Sequence, residues 1–524
     1  MTMYPPAPGT VRRALVSVFD KRGLLELGLG LIEQGVAIVA TEGSAQTLTA
    51  SGIPVEPLGN FLRARTLLGG RLKTLHPGVH AGLLADRRDE GQLAELTRAG
   101  YAPIDLVICN MAPFREAAAT ARARAELMAA IDVGGPALLR TGASNAEGGV
   151  TVVCDPADYG RVVAALREES MVPAWLRGEL AAKAFSLVAE YDASVASWLG
   201  SIDSLTQGTR ALPNRLPPFV KRAELRYGEN PHQAGALFVE EGTRQGIAHG
   251  RLLAGKPLSY NNFLDMDAAY RVVSGLGGTA CAIVAHTNPC GLAVTTDQAL
   301  AFRRAVEGDP MAAYGVVVAF NAPVTLATAG AIRDSEIFIE CIVAPGFAPA
   351  VREFFSKRVN LRLYEAPPGD PVPATQTHRI GGGLLVEESD RGLSNPEEWS
   401  CATEKQPETT WVAELAFALR AVSTLTSNAV AITRERQLIG VGLGQLSRVD
   451  AVDQALRKAG LRARGAFLAS DGFLPFVDSV ELAARAGIAA IVQPGGSKRD
   501  QELIDACDRE GIVMLFTGRR HFRL

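Results

Sequence analysis

Short apolar runs alternating with helically spaced leucines restrict this chain more than any other feature of its first 200 or so residues. ALVSV at 14–18 reads as a buried strand, and Leu24, Leu27, Leu31 and Ile32 then recur at the spacing of one helix face. VAIVA at 36–40, LVICN at 106–110 and VTVVC at 150–154 read as further strands, each followed by a polar turn. Strand, helix, strand order predicts a parallel sheet covered on both faces. Ligands of such sheets sit beyond the carboxyl ends of the strands. The candidate binding segments are therefore the turns SVFDKRG, ATEGSA, CNMAPF and IDVGGPALLRTGASN.

With 524 residues the chain exceeds what one core usually serves. SIDSLTQGTRALPNRLPP at 201–218 is polar and proline-bearing and reads as a linker, giving a first domain over 1–200 and a second region over 219–524. That second region carries an approximate repeat. DAAYRVVSGL reads as a helix, ACAIVAH as a strand, NPCG as a turn, LAVTT as a strand, FRRAVEG as a helix and YGVVVAF as a strand. ELAFALRAVSTL, NAVAIT, RERQ, LIGVGLG, DQALRKAG and GAFLAS return in the same order. Two similar α/β subdomains, about 219–370 and 371–524, are expected, with a site between them.

Composition excludes several classes. A net charge of −3 without blocks of like charge argues against a nucleic-acid or membrane surface. No apolar run approaches the ~18 residues of a membrane span. MTMYPPAPGT lacks a basic start and an apolar stretch, so it reads as a short lead and not a signal peptide. The seven cysteines form no C-x-x-C pair, which fits a reducing cytoplasm.

The second region also holds words unusually polar for their setting: LRYGENPHQ (225–233), SYNNFLDMDAA (259–269), AHTNPCG (285–291), IVAPGF (342–347), TSNAV (426–430), GQLSRVD (444–450), SDGFLPF (470–476), QPGGSKRD (493–500) and TGRRHF (517–522). In the first region stand GRLKTLHPGVH (70–80) and IDVGGPALLR (131–140). With these words in this order the chain resembles, nearly end to end, the aminoimidazole carboxamide ribotide transformylase/inosine monophosphate cyclohydrolase family. The resemblance implies a methylglyoxal-synthase-like parallel α/β domain followed by duplicated cytidine-deaminase-like α/β subdomains. It implies formyl transfer from 10-formyltetrahydrofolate to the ribotide's exocyclic amine, then dehydrative ring closure to IMP. It also implies a cytoplasmic homodimer. The deaminase zinc signature is missing and Cys290 has no second cysteine at ligand spacing, so no metal is expected.

A weakly nucleophilic amine needs a base of near-neutral pKa, and His286 is the candidate. The resemblance pairs it with Asn428. Arg226 and Arg520 are placed toward the ribotide phosphate, where forked guanidinium bonds suit the ligand, with Arg358 or its neighbour Lys357 joining them. Tyr227, Arg448 and Phe473 match pocket-lining positions, and Glu340 and Asp478 match acidic ones. In the first region Ser17, Lys21, Gly43, Ser44, Lys73 and Thr74 match a phosphate-binding set, the role that turn N–H groups and lysine suit. Asp132, Asn110 and Gly134 match residues around the closing ring, and Lys73 is placed to stabilise a developing oxyanion.

Five departures stand against that pattern. Ala285 replaces the lysine before His286, Ala112 replaces a tyrosine, and Ser144 replaces a second catalytic lysine. Glu42 replaces a glycine of the phosphate turn, and Arg63-Ala64-Arg65-Thr66 replaces Gly-Phe-Pro-Glu. Losing one transition-state donor commonly costs ~3 kcal/mol. An impaired cyclohydrolase half is therefore expected. Beside the ordinary bifunctional enzyme two alternatives stand: a divergent paralogue acting on a related ribotide or amine, and a catalytically silent nucleotide-binding protein.

Overall fold

The computed structural model describes residues 7–64, 68–120, 124–206, 212, 216, 219–240, 243–367, 369 and 372–524. Its contacts divide the chain into two compact units, Met1–Pro218 and Phe219–Leu524.

The first unit is built on a five-stranded sheet: β1 (Arg13–Val18), β2 (Ala37–Ala40), β3 (Glu56–Pro57), β4 (Leu106–Asn110) and β5 (Thr151–Val153). All pairings are parallel and the order is β3-β2-β1-β4-β5. Adjacent β1 side chains bury into different cores, as a strand's period of two requires. Ala14 and Val16 join Leu24, Leu27 and Leu31 of helix Leu24–Glu33 on one face. Leu15 packs with Val107, Leu138 and Leu139 on the other. The order reverses between β1 and β4, so their carboxyl ends diverge into a crevice where such sheets take ligands. Helix Ala174–Thr206 continues through the first six residues of the segment read as a linker. Residues 207–211, 213–215, 217 and 218 of that segment, like Arg65 and Thr66, lie outside the described residues.

The second unit opens with a hairpin of β6 (Phe219–Leu225) and β7 (Gly235–Glu240). Its first half then runs β8 (Arg251–Ala254), helix Tyr260–Ser274, β9 (Thr279–Ala285), β10 (Asn288–Thr295), helix Gln298–Gly308, β11 (Val316–Phe320), β12 (Ile339–Ala344) and β13 (Arg362–Glu365). After the hairpin β14 (Thr375–Ile380) and β15 (Gly383–Glu388) comes β16 (Ser400–Cys401). The second half follows as helix Thr409–Val422, β17 (Val430–Arg434), β18 (Gln437–Gly442), helix Arg448–Ala459, β19 (Phe467–Ser470), β20 (Ala490–Gln493) and β21 (Val513–Phe516).

The halves join edge to edge in one twelve-stranded sheet, β16-β21-β20-β19-β17-β18-β10-β9-β11-β12-β13-β8, closed at its centre by the antiparallel pair β10–β18. Helices Tyr260–Ser274 and Thr409–Val422 share one core across the join. The opposite face carries a separate core for each half. Among the described residues no helix is long and apolar enough to cross a membrane.

One turn differs from the sequence expectation. NPCG is not the turn of the first half. Asn288 to Gly291 already belong to β10, and the register shifts between Pro289 and Gly291. That bulge is where a strand tolerates proline. The turn is instead His286–Thr287, with φ of 51° and 63°.

Candidate active sites

In the first unit the sheet brings all nine expected residues to one cleft of about 390 Å³ at the β1/β4 crevice. Ser17, Lys21, Gly43, Ser44, Lys73, Thr74, Asn110, Asp132 and Gly134 all line it. Asn110, at the end of β4, accepts the backbone N–H groups of Phe19 at 2.6 Å and Asp20 at 2.8 Å, which fixes the turn after β1. Ser44 Oγ accepts from Val18 N and from Lys21 Nζ, both at 3.2 Å. Gly43 and Ser44 stand in the first turn of helix Glu42–Ala50, where backbone N–H groups have no helical partner and favour an anion. Burial, and after it the charge of Lys73, hold the Lys21 pKa below its ordinary value. An anion between the two lysines relieves that repulsion.

Opposite, Asp132 accepts Gly135 N at 3.0 Å, and its own N–H donates to Tyr191 Oη at 2.7 Å. Helix Gly134–Ser144 starts here on glycines because there is no room for more. A Cβ on Gly134 would lie 2.4 Å from Thr74 Oγ1, and one on Gly135 2.5 Å from Asp132 Oδ2.

The substituted positions fall in different places. Ala112 lines this cleft. Glu42 lines an adjoining cleft with Gln46 and His76, a cleft that shares Thr41, Gly43 and Lys73 with this one. Ser144 is exposed at the far end of helix Gly134–Ser144, its hydroxyl donating to Thr141 O at 2.9 Å. At ~1.5 Å per residue the helix carries it about 15 Å from Gly134.

In the second unit the His286–Thr287 turn meets the segment before β17. Asn288 Oδ1 accepts Thr426 N at 2.9 Å, and Arg523 Nη1 donates to the carbonyl oxygens of Thr287 at 3.0 Å and Thr424 at 2.6 Å. His286 and Asn428 thereby lie at the junction of the two halves. Asp265 of helix Tyr260–Ser274 holds the turn from the other side, accepting Thr287 N at 2.6 Å. Burial pushes the Asp265 pKa up, opposed chiefly by that hydrogen bond and by His286. The same helix begins beside Tyr227, whose carbonyl accepts Tyr260 N at 3.4 Å. The Arg226 guanidinium lies 5.5 Å from the Tyr227 ring centroid. Asn262 donates to Glu340 Oε2 at 2.8 Å, so Glu340 faces this helix start.

Arg448 is not a free ligand arm. It is buried, and its guanidinium donates to Asp471, to Ala429 O at 3.0 Å and to Asn428 Oδ1 at 2.8 Å. It therefore aims Asn428, whose amide Nδ2 donates to Gln445 O at 2.8 Å. Phe473 is half-exposed and follows Gly472, on which a Cβ would lie 2.6 Å from the Phe522 ring and 2.7 Å from Arg448 Nη2. Arg520 is exposed over Phe522, 4.7 Å from its centroid. Asp478 opens helix Asp478–Ala486 and accepts Ser479 N at 2.7 Å.

Arg358 stands apart, exposed on the turn before β13 and stacked on Phe355. The arginine that reaches Glu340 is the buried Arg362, at 3.9 Å. Asp265, Asp471, Arg362 and Arg523 were missed from the sequence. Asp265 and Asp471 had a signal, as acids inside the polar words SYNNFLDMDAA and SDGFLPF.

A parallel sheet with an anion cleft at its switch point, carried with a duplicated α/β unit in one chain, is the layout of a two-site enzyme. Residues 143–458 match the family model described as the AICARFT/IMPCHase bienzyme, and residues 23–137 match the MGS-like domain. The bifunctional purine biosynthesis protein PurH of Acidithiobacillus ferrooxidans is 43% identical over 98% of this chain and 99% of its own. PurH of Desulfitobacterium hafniense is 41% identical over the same shares. A solved structure titled "Crystal structure of ForH" is 38% identical, covering 36% of this chain and 97% of its own at a TM-score of 0.32. The chain belongs to the PurH family of bifunctional AICAR transformylase/IMP cyclohydrolase enzymes.

Proposed function

We propose that the 219–524 region moves a formyl group from 10-formyltetrahydrofolate to the exocyclic amine of aminoimidazole carboxamide ribotide, and that the 1–200 region binds the formylated ribotide but closes it slowly. In the transfer the amine nitrogen bonds to the formyl carbon while His286 takes the amine proton. The bond from that carbon to the folate nitrogen then breaks, and the folate nitrogen leaves protonated. Asn428, held by Arg448, presents an amide to the reacting groups. Arg226 and Arg520 supply forked donors for the phosphate. In ring closure the carboxamide nitrogen attacks the formyl carbon and water is lost. Lys73 stabilises the developing oxyanion, and Lys21, Gly43 and Ser44 hold the phosphate.

The observation that carries this reading is the convergence of nine expected residues on one crevice cleft. The same cleft motivates the slow closure, because Ala112 lines it with a methyl where the resemblance calls for a phenol. We read the protein as a cytoplasmic homodimer. The hairpins β6–β7 and β14–β15 expose Phe219, Val220, Phe238, Leu384 and Leu385, a surface suited to a second copy.

The test is an assay of purified protein with the ribotide and 10-formyltetrahydrofolate, separating formylated product from closed ring. Formylated ribotide should accumulate ahead of IMP. Ring closure at the ~1–1000 per second typical of enzymes overturns the slow-closure part. Absence of any formylated product overturns the whole. Ala112→Tyr should raise closure about tenfold or more, a fraction of what a full transition-state donor supplies. Ser144→Lys should leave it within about twofold, because that side chain stands at the wrong end of its helix. A larger gain from Ser144→Lys than from Ala112→Tyr would reverse this assignment.

A further inference from the structure

The duplication places one device twice, and only one copy carries a candidate reacting group. Asp265 is the sixth residue of helix Tyr260–Ser274, and Glu414 is the sixth of helix Thr409–Val422. Each carboxylate accepts the backbone N–H of the second residue in the hairpin turn of its own half. Asp265 takes Thr287 N at 2.6 Å, and Glu414 takes Arg436 N at 2.9 Å. Both turns are two residues long and neither uses glycine: His286 and Thr287 have φ of 51° and 63°, Glu435 and Arg436 of 51° and 54°. Two-residue hairpin loops at positive φ favour Asn and Gly, so side chains such as these persist only where the surroundings hold the backbone.

In the first half the hold is complete. Asn288 Nδ2 donates to His286 O at 3.0 Å, Arg523 donates to Thr287 O at 3.0 Å, and Asp265 takes the Thr287 N–H. In the second half the carbonyl of Arg436 accepts Val294 N at 3.0 Å, so that turn is gripped by the central strand of the other half. The second turn carries Glu435 and Arg436, the first carries His286.

We propose that Asp265 is a positioning residue of the transfer site: its carboxylate keeps the His286–Thr287 turn in the left-handed backbone that aims His286, while Glu414 does the same for a turn with no reacting group. This rests on the reading of His286 as the transfer base. Charge alone does not explain the pairing, since Asp265 also faces Glu340 on β12, which opposes its ionisation.

The test compares Asp265→Ala, Asp265→Asn and Glu414→Ala in the full-length protein. Asp265→Ala should lower kcat for formyl transfer about 10- to 100-fold with KM for ribotide and folate within about threefold, the pattern of an interaction that serves the transition state. Amide hydrogen exchange at Thr287 should quicken at least tenfold. Asp265→Asn should recover most of both, because an amide oxygen still accepts the Thr287 N–H. Glu414→Ala should quicken exchange at Arg436, leave Thr287 unchanged and keep kcat within about twofold. A rise in KM with kcat intact, equal exchange at Thr287 in all three variants, or Asp265→Asn no better than Asp265→Ala overturns the proposal. If His286→Ala retains full transfer while Thr287 exchange responds as expected, the His286 reading fails and the turn-holding role stands.

Discussion

Replacing Asp471 with alanine is expected to lower the stability of the carboxy-terminal unit by about 3–5 kcal/mol, read as a shifted urea midpoint. The carboxylate is wholly buried and binds the Arg448 guanidinium, the Ser427 hydroxyl and Ala429 N, the last at 3.1 Å. Without it a buried guanidinium is left with a carbonyl and an amide oxygen and no counter-charge, the costly way to break such a pair. Formyl transfer should fall with stability, because Arg448 also aims Asn428. Removing both charges with similar volume, Asp471→Leu with Arg448→Met, should restore most of the stability but not the transfer. A midpoint shift worth less than ~1 kcal/mol for Asp471→Ala would show that solvent reaches Arg448 and would withdraw its aiming role.

The contrast between Asp471 and the strands marks what a sequence carries. LVICN is a strand from Leu106 to Asn110 because five adjacent residues state it locally, and the polar residue at its end marks the crevice. The phosphate set came from the resemblance: Lys21, Gly43 and Ser44 do follow strands, but Lys73 and Thr74 stand between the turn Leu68–Gly70 and helix Pro77–Leu84. The repeat was legible as order, but not the join, because an edge pairing such as β10–β18 depends on residues ~140 positions apart in sequence and leaves no local period. SDGFLPF stands out as a polar word, but nothing local says that its aspartate answers an arginine 23 residues earlier. Proline and glycine in NPCG signal a turn, yet the bulge after Pro289 absorbs them and moves the turn onto His286–Thr287. The chemistry-bearing residues were named mostly from the words around them; their supports were not, since supports are chosen by three-dimensional neighbours.

His286→Ala is expected to cut formyl transfer by about 10²- to 10⁴-fold, the range of general-base catalysis, with binding of the ribotide retained. The side chain is exposed, so its loss opens no cavity and removes no buried bond. The drop should therefore come without a change in urea midpoint. That separates it from Asp471→Ala, where both fall together. The companion variant is Ala285→Lys. Ala285 ends β9, opposite Asn288 across the hairpin, and is only partly buried, so a lysine there can reach solvent beside the turn without displacing a core side chain. If the acceptor is the ordinary ribotide, the added ammonium supplies charge stabilisation to the forming tetrahedral oxyanion. Transfer should then rise about tenfold or more over the native chain. If the chain serves a different amine, the same ammonium meets a substrate shaped without it, and transfer should stay level or fall. The pair of variants thus sorts the three readings on one assay. Loss in His286→Ala with gain in Ala285→Lys marks the ordinary enzyme. Loss without gain marks a paralogue with another acceptor. Ribotide binding with no transfer in any variant marks a nucleotide-binding protein that kept the pocket after the chemistry had gone.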